Sequence, residues 1–275
     1  LWFIELMKNN FKILNLVLYF VFCFAFLVNA NEIFNFDVSE IEISDNGNKI
    51  KGLNRGKIST NEDLIINADN FELDKTLNLL VASGNVKIKD KAQNLLILAD
   101  KISYNKNKEI ITGEGNIDYS NNSIEITANK FEFFKNKQII IAEENVLAKD
   151  NLKDLIILSD KITYYKADER IVTKNYTKAI IHSKYEFISK NVLYSKYQKE
   201  LSSNYKTKII QNSQQLLEFE KFTYNIEKEL LKAENIFFND DIKNSKGLSN
   251  NLFFKDGFFD LKNKEFVASK TEIKL

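Results

Sequence analysis

Hydrophobic and polar residues alternate in short runs along almost the whole chain, and these runs recur about every 30 residues. In one of them Phe71 and Leu73 are separated by Glu72, so that alternate positions are apolar. A spacing of two is the periodicity of a β-strand with one buried and one solvated face. Polar stretches such as residues 106–108, Lys-Asn-Lys, separate the runs. Each repeat is therefore predicted to form an antiparallel hairpin.

Eight copies of the repeat align on one position in each copy. The aligned positions are Val38, Ala68, Ala99, Ala128, Ser159, Ser189, Phe219 and Ser249. In every copy an apolar residue follows three positions later and another follows five positions later. A fixed period of this kind marks an architecture in which each unit buries its apolar face against its neighbours.

The phase of the alternation changes by one residue at each aligned position. Ile97 and Ala99 stand at odd positions, whereas Ile102 and Tyr104 stand at even ones. One extra residue must be accommodated there without turning the apolar face outward. Asp and Asn tolerate bulges and left-handed backbone conformations well. We therefore expect corners, and they are predicted close to Asp69, Asp100, Asn129 and Asp160.

A sheet bent at such corners folds along its length and encloses an apolar trough. The predicted fold is all-β, an elongated antiparallel β-taco or β-jellyroll built from about eight hairpin repeats of roughly 30 residues. The residues predicted to line the trough are Ile66, Ala68, Phe71, Leu73, Ile97, Ala99, Ile102, Tyr104, Ile126, Ala128, Phe131, Phe133, Ile157, Ile162, Tyr164, Val192, Tyr194, Phe222 and Tyr224. An aromatic stripe is also typical of a closed core, so an open trough and a packed core both remain at this point.

The charge balance argues against a nucleic-acid partner, and the amino-terminal segment predicts export. The chain has 39 basic and 38 acidic residues, a balance that predicts no nucleic-acid partner. Residues 1–30 are predicted to be a cleaved signal peptide that starts at Met7, with an uncleaved anchor as the alternative. Cys23 is the only cysteine and lies in this segment, so the exported part has no thiol for a disulfide or a metal.

Residues with catalytic chemistry are scarce. His182 is the only histidine and has no second imidazole or thiol to work with. Residues 113–115, Gly-Glu-Gly, lack the third glycine of a dinucleotide-binding loop. Asp240 and Asp241 lack the ligand spacing of a calcium loop. We expect no enzyme activity, no cofactor and no metal site.

Two repeated phrases carry a family resemblance. Residues 68–74, Ala-Asp-Asn-Phe-Glu-Leu-Asp, are followed by Ala-Ser-Gly-Asn-Val-Lys-Ile at 82–88, and similar phrases stand at 99–105 and 112–117. Together they resemble the OstA-type repeat of the lipopolysaccharide-transport proteins LptA and LptC and of the periplasmic amino-terminal part of LptD. In its number of repeats, the segment 31–275 most resembles that LptD region. The resemblance then implies an outer-membrane barrel beyond the carboxyl terminus of this sequence.

The resemblance implies a function in lipopolysaccharide transport and outer-membrane assembly. The trough would shield lipid A acyl chains received from an LptA-type bridge, and the barrel would work with an LptE-type lipoprotein. The amino-terminal edge strand is the hypothetical docking site for the bridge by edge-strand addition, through Val38, Ile41 and Ile43.

Three alternatives stay open from the sequence. The chain could be a stand-alone LptA-like periplasmic bridge, a parallel β-solenoid with a structural or adhesive role, or a stretch of outer-membrane barrel. The direction of the strand pairing distinguishes the solenoid from the hairpin repeat.

Overall fold

The computed structural model describes residues 34–60, 64–212, 214–240 and 250–274. The predicted signal peptide, residues 1–30, lies outside the described residues. The chain divides into one unit of residues 1–35 and a second of residues 36–275, and the second unit carries the repeats.

The second unit is built almost entirely from β-strands. The strands are β1 (Phe34–Ser44), β2 (Lys49–Thr60), β3 (Leu64–Ala68), β4 (Asn70–Asp74), β5 (Leu79–Asp90), β6 (Leu95–Asn105), β7 (Ile110–Ser120), β8 (Glu125–Phe134), β9 (Ile139–Asp150), β10 (Leu155–Tyr165), β11 (Arg170–Ile181), β12 (Tyr185–Lys190), β13 (Leu193–Ser195), β14 (Glu200–Ser203), β15 (Thr207–Gln211), β16 (Gln214–Phe219), β17 (Lys221–Asn225), β18 (Leu230–Asp240), β19 (Asn250–Asp260) and β20 (Glu265–Lys274). Two short 3-10 turns, Asp45–Gly47 and Lys135–Lys137, complete the described elements.

Neighbouring strands pair in the order of the sequence. All the pairings whose register is defined among the described strands are antiparallel, from β2 with β3 and β4 to β19 with β20. In places two short consecutive strands take the position of one long strand in the sheet. For example, β3 and β4 both pair with β2 on one side and with β5 on the other. The all-β, antiparallel prediction is therefore confirmed, and the parallel β-solenoid is wrong for this chain.

Each level of the sheet bends at a corner near its middle. In β6 the buried residues Leu95, Ile97 and Ala99 are followed by two exposed residues and then by buried Ile102 and Tyr104. The register between β6 and β7 shifts at the same place, between Leu98 and Lys101. Because two consecutive residues point outward, both arms of the strand keep their apolar side chains inside. The predicted corners are confirmed at this element and at β8 and β10.

The left-handed backbone at the corners lies on a different strand from the one expected. Asp69 and Asp100 have no positive φ, whereas Asn85 and Asn116 on the following strands have φ values of 49° and 43°. The aspartates instead accept hydrogen bonds from these asparagines, at 2.7 Å for Asn85 and 2.8 Å for Asn116. The preceding residue Gly84 also has a positive φ of 77°. The return strand thus makes the bend, and the aspartate holds it.

The last copy of the repeat is displaced from its predicted alignment. In β19 the buried residue Phe254 is followed by two exposed residues, Lys255 and Asp256, and then by buried Gly257 and Phe259, although the register with β18 does not change. The corner therefore lies at Lys255, and Phe254 takes the aligned position that the sequence pattern assigned to Ser249. The displacement arises because residues 241–249 separate β18 from β19, a longer connection than the turns between the other strands.

The corners divide the sheet into two walls. The first wall contains the half of β6 before its corner, the half of β7 after its corner and the strand halves that pair with these. The second wall contains the other half of each strand. The first edge is the outer border of the first wall and carries turns such as residues 91–94. The second edge is the outer border of the second wall and carries turns such as residues 106–109.

The second edge is a continuous ladder of backbone hydrogen bonds. Lys106 N–H donates to Asn78 O at 3.0 Å, Lys135 N–H to Glu109 O at 2.9 Å, and the pattern continues to Leu261 N–H and Glu229 O at 3.0 Å. These bonds join the turn of one repeat to the turn of the next. They fix the stacking of the repeats where the strands themselves end.

Candidate functional site

All the residues predicted to line the trough face the space between the two walls. Each is buried, and the most exposed of them, Ala99, has only 7% of its surface accessible. Rings from opposite walls are in contact, with centroids 6.0 Å apart for Tyr119 and Phe131 and 5.3 Å apart for Phe187 and Phe222. The walls therefore pack together along these residues. Their contact with lipid stays a prediction.

The predicted docking strand for a bridge protein is more exposed. Ile41 and Ile43 are 49% and 63% accessible, and Val38 is half-buried. Val38 packs over Gly52 and Gly56 of β2, where a Cβ would lie 3.0 Å and 2.5 Å from its Cγ1. The inward face of β1 thus presents apolar side chains at the end of the stack. Partner binding by this strand also stays a prediction.

The two edges meet along a polar seam. We define the seam by the contacts between first-edge and second-edge groups, which are Asp90 with Lys135, Gln93 with Lys166, Ser123 with Glu169, Asp150 with Tyr194 and Lys196, Lys153 with Glu227, His182 with Ile226, Lys184 with Glu229, and Tyr185 with Leu261. Because the corner holds the walls on one side and the seam holds them on the other, the apolar interior is enclosed.

The seam partners are offset by a regular distance in sequence. Ser123 and Glu169 are 46 residues apart, His182 and Ile226 are 44 apart, and Tyr185 and Leu261 are 76 apart. These separations correspond to about one and a half and two and a half repeats. The two walls are therefore staggered against each other, as expected for a twisted sheet that folds on itself.

Some of the charged side chains of the seam are buried. The side chains of Asp90 and Lys135 are 2% and 5% accessible and form an ion pair at 3.4 Å. Asp150 accepts hydrogen bonds from the Tyr194 hydroxyl at 2.6 Å and pairs with the Lys196 ammonium at 3.3 Å. Burial of a charge is tolerated only with such partners.

The seam also shifts the acidity of the groups beside it. Burial raises the pKa of the Tyr194 hydroxyl, and its hydrogen bond to Asp150 raises the pKa further. Burial lowers the pKa of the Lys166 ammonium. Hydrogen bonds from Lys153 and Lys199 hold the pKa of the Glu227 carboxyl below its ordinary value. Glu227 thus links a first-edge lysine and a second-edge lysine.

The seam was not predicted from the sequence, although one signal for it was present. A lysine follows the aligned position by seven residues in five consecutive copies, namely Lys75, Lys106, Lys135, Lys166 and Lys196. Three of these lysines reach the first edge. The groups they meet, Asp90, Gln93 and Asp150, lie in other repeats, so the pairing depends on the stagger of the walls.

One apolar cavity opens at the carboxyl-terminal end of the interior. It has a volume of about 420 Å³ and lies among the last strands, with Leu217, Phe238, Phe254, Phe259 and Phe266 in its lining. Phe254 and Phe259 are 6% and 8% accessible, whereas Phe266 at the end of the stack is 56% accessible. The interior is thus reachable here from solvent.

Two further observations concern the described residues only. None of them forms a helix with the length and apolarity needed to cross a bilayer. Among the same residues, no group of three or more His, Cys, Asp or Glu side chains is arranged to hold a metal ion.

Comparison with known proteins gave matches among solved structures alone. No protein-family model matches the chain, and no curated protein matches it. Among solved structures the chain is similar to LptH of Pseudomonas aeruginosa, the LptA-homologous periplasmic component of a lipopolysaccharide transport device. That similarity has 15% identity and a TM-score of 0.38, and it covers 41% of this chain and 85% of LptH. A second similarity, to Hsv2 of Kluyvelomyces marxianus, has 8% identity and a TM-score of 0.13 over 86% of this chain and 99% of Hsv2.

Proposed function

We propose that residues 31–275 are an OstA-type β-jellyroll that carries lipopolysaccharide through the periplasm by shielding its acyl chains, and that they catalyse no reaction. The observation that supports this most strongly is the continuous apolar interior. Most inward positions are apolar in successive repeats, and the buried hydroxyl residues Ser159, Thr173, Thr177, Ser189 and Thr207 lie next to the corner, so neighbouring levels offer similar surroundings to an acyl chain away from the corner. Burial of each CH₂ group is worth about 0.8 kcal/mol, so an even lining moves a lipid without a deep trap.

In this proposal, lipid enters the interior at the seam. In the structure the walls pack against each other, so lipid enters only where they separate. The corner is a hydrogen-bonded hinge of short side chains, whereas the seam is held by ion pairs and hydrogen bonds that water and lipid head groups can replace. Opening at the seam places acyl chains between the walls and leaves head groups in water.

The finer assignment concerns the partners. We propose that the chain is the periplasmic amino-terminal domain of an LptD-type protein, exported by the segment 1–30, which receives lipid from an LptA-type bridge at β1 and serves an outer-membrane barrel with an LptE-type lipoprotein. The exposed apolar side chains of Ile41 and Ile43 support a docking role for β1. A stand-alone LptA-like bridge is the second candidate, favoured by the same strand.

Site-specific photo-crosslinking in cells tests the lipid function. A photoreactive phenylalanine analogue is placed at Phe131, which is 2% accessible and faces the interior, and at the neighbouring exposed residue Glu132 as a matched control. We expect lipopolysaccharide adducts from position 131 and none from position 132. A folded protein that gives no adduct at 131, or equal adducts at both positions, contradicts the proposal.

A further inference from the structure

The inward side of the corner changes its chemistry in the middle of the chain. Two inward positions lie 14 and 18 residues after the aligned position of each copy. In the copies aligned on Ala68, Ala99 and Ala128 these positions hold Ala, Gly, Val or Ile, whereas in the copies aligned on Ser159 and Ser189 they hold Thr or Ser. The hydroxyl-bearing residues at this part of the corner are all buried, and they are Ser159, Thr173, Thr177, Ser189, Ser203 and Thr207.

These residues, which we call the inner strap, join the two walls across the corner. The hydroxyl groups of Thr173 and Thr177 are 2.6 Å apart, and in β11 these residues belong to the second and the first wall respectively. The Ser203 hydroxyl on the second wall donates to Lys190 O, at the end of the first-wall strand β12, at 2.7 Å. Both bonds lie on the inside of the bend. Side-chain hydrogen bonds therefore connect the walls within the interior.

Further contacts hold the hydroxyl groups of the strap in place. The backbone N–H of Val192 donates to the Thr173 hydroxyl oxygen at 2.7 Å, and the Ser159 hydroxyl donates to Tyr176 O at 2.9 Å. Buried hydrogen bonds that are linked in this way are stronger than isolated ones and make their surroundings rigid. The strap is therefore one network that extends over strands β10 to β15.

The corners in the earlier copies are built differently. Their side-chain hydrogen bonds lie on the outer, exposed side, where Asn85 donates to Asp69. The inward residues of that copy are Ala82 and Val86, whose side chains have no polar group. When the walls part, the angle on the inside of the corner widens, so bonds on the inside must stretch or break, whereas atoms on the outside move closer together. An inner strap thus resists parting of the walls, and an outer hydrogen bond does not.

We propose that the inner strap keeps the two walls together at β10–β15 and confines their separation to the strands on either side of it. The interior then consists of sections that open independently, with a section that stays closed between them. This device belongs to the fold and needs no ligand. Its consequence for transport, a closed section beside one that admits lipid, rests on the proposed function.

The rate of cysteine labelling tests the strap. Single cysteines are introduced as Ala99→Cys in the unstrapped part and Ala179→Cys beside the strap, each in the full chain with Cys23→Ser. Both alanines are buried, so N-ethylmaleimide reacts only after local opening, and its rate reports the open fraction. We expect the cysteine at position 179 to react at least about tenfold more slowly than the one at position 99.

Two variants remove single bonds of the strap. Thr177→Val introduces the residue that stands at the equivalent position 86, and Ser203→Ala introduces the residue that stands at position 82, so both should fold. Each should raise the labelling rate at position 179 by about tenfold and leave the rate at position 99 within about twofold. Thr177→Ser keeps the hydroxyl group and should retain the slow rate.

The matched control is Thr163→Val, which makes the same chemical change at a half-buried residue of β10 outside the strap. It should leave both rates within about twofold. The inference is overturned by equal rates at positions 99 and 179 in the chain with an intact strap. It is also overturned if Thr177→Val and Ser203→Ala speed both positions equally, which indicates a loss of global stability, or speed neither.

The labelling uses no lipid, so its outcome is separable from that of the crosslinking in cells. Lipopolysaccharide adducts at position 131 together with equal labelling rates would support transport and overturn the strap. Slow labelling at position 179 that depends on Thr177 and Ser203, together with no adduct at position 131, would support the strap and contradict the transport proposal.

Discussion

Tyrosine and aspartate define the chemistry of the seam at the scale of single residues. Tyr104, Tyr164, Tyr194 and Tyr224 occupy the fifth position after the aligned residue in their repeats, the last inward position before the second edge. Their rings are buried among apolar side chains, and in Tyr194 the hydroxyl reaches Asp150. At position 194 a tyrosine suits the site better than a phenylalanine, because the ring completes the core and the hydroxyl meets the polar seam.

Asp150 is the residue whose replacement should cost most. Its side chain is fully buried, accepts hydrogen bonds from Tyr194 and from Leu152 N–H, and pairs with Lys196. Asp150→Leu leaves the lysine charge enclosed without its partner, and we expect a loss of about 3–5 kcal/mol in the free energy of unfolding. Urea unfolding followed by circular dichroism measures the loss.

The double variant Asp150→Leu with Lys196→Met is the control for this prediction. It removes both charges, so it should recover most of the lost stability, since buried ion pairs are often replaceable by apolar side chains. If the double variant is no more stable than Asp150→Leu, the pairing with Lys196 is not the source of the effect.

At the scale of elements, the corner is the feature that turns an ordinary hairpin into part of an enclosed fold. It combines a two-residue outward step on one strand with a left-handed bend on the next. Gly84 stands at such a bend, with a φ of 77°, and a Cβ added there would lie 2.7 Å from Asp69 Oδ2. The same Asp69 oxygen accepts the hydrogen bond from Asn85. Crowding at Gly84 would therefore disturb the hydrogen bond that holds the corner.

Gly84→Ala should accordingly destabilise the fold more than Gly47→Ala. Both glycines have positive φ values, 77° and 89°, so both substitutions carry a backbone strain of about 1–2 kcal/mol. Only Gly84 adds a collision, because no atom lies within 4 Å of a Cβ at Gly47. Unfolding midpoints in urea measure the difference, and equal losses for the two variants would show that corner crowding is unimportant.

At the scale of the whole molecule, the seam connects repeats that are not neighbours in sequence. Ser123 and Glu169 form one contact of this kind, with a hydrogen bond of 3.1 Å between repeats that are one and a half units apart. In an ordinary repeat protein each unit contacts only its neighbours. The seam adds a second set of contacts to the strand ladder, and its state decides whether the interior is enclosed.

Locking the seam should block lipid access to the central interior. Ser123→Cys and Glu169→Cys, joined by a short bismaleimide in a Cys23→Ser background, tie the two edges together. We expect this protein to lose the lipopolysaccharide adducts formed at position 131. A control pair, Ser103→Cys with Thr112→Cys, joins adjacent strands within the second wall and should leave the adducts intact. Equal adducts in the two linked proteins would show that lipid does not enter through the seam.

The sequence predicted much of the fold because its main features are local and repeated. Two-residue periodicity, polar turns and the phase change at Asp69 or Asp100 predicted antiparallel strands with corners, and the structure has them. The alignment failed at Ser249, where a longer connection broke the period. The left-handed position was assigned to the aspartate in place of the asparagine, since either residue type tolerates that conformation and only the pairing of strands distinguishes them.

The sequence by itself determined the all-β class, the inward set of apolar residues and the place of the bends, because each depends on residues a few positions apart. Only the tertiary structure decided that the trough is packed along its centre, that Asp150 meets Lys196 across the seam, and that an open cavity lies among the last strands. These features depend on the gap and stagger between two walls. That geometry comes from the twist of the whole sheet, which joins residues about 45 or 75 positions apart, so the recurrent lysine seven residues after the aligned position does not by itself reveal its partner.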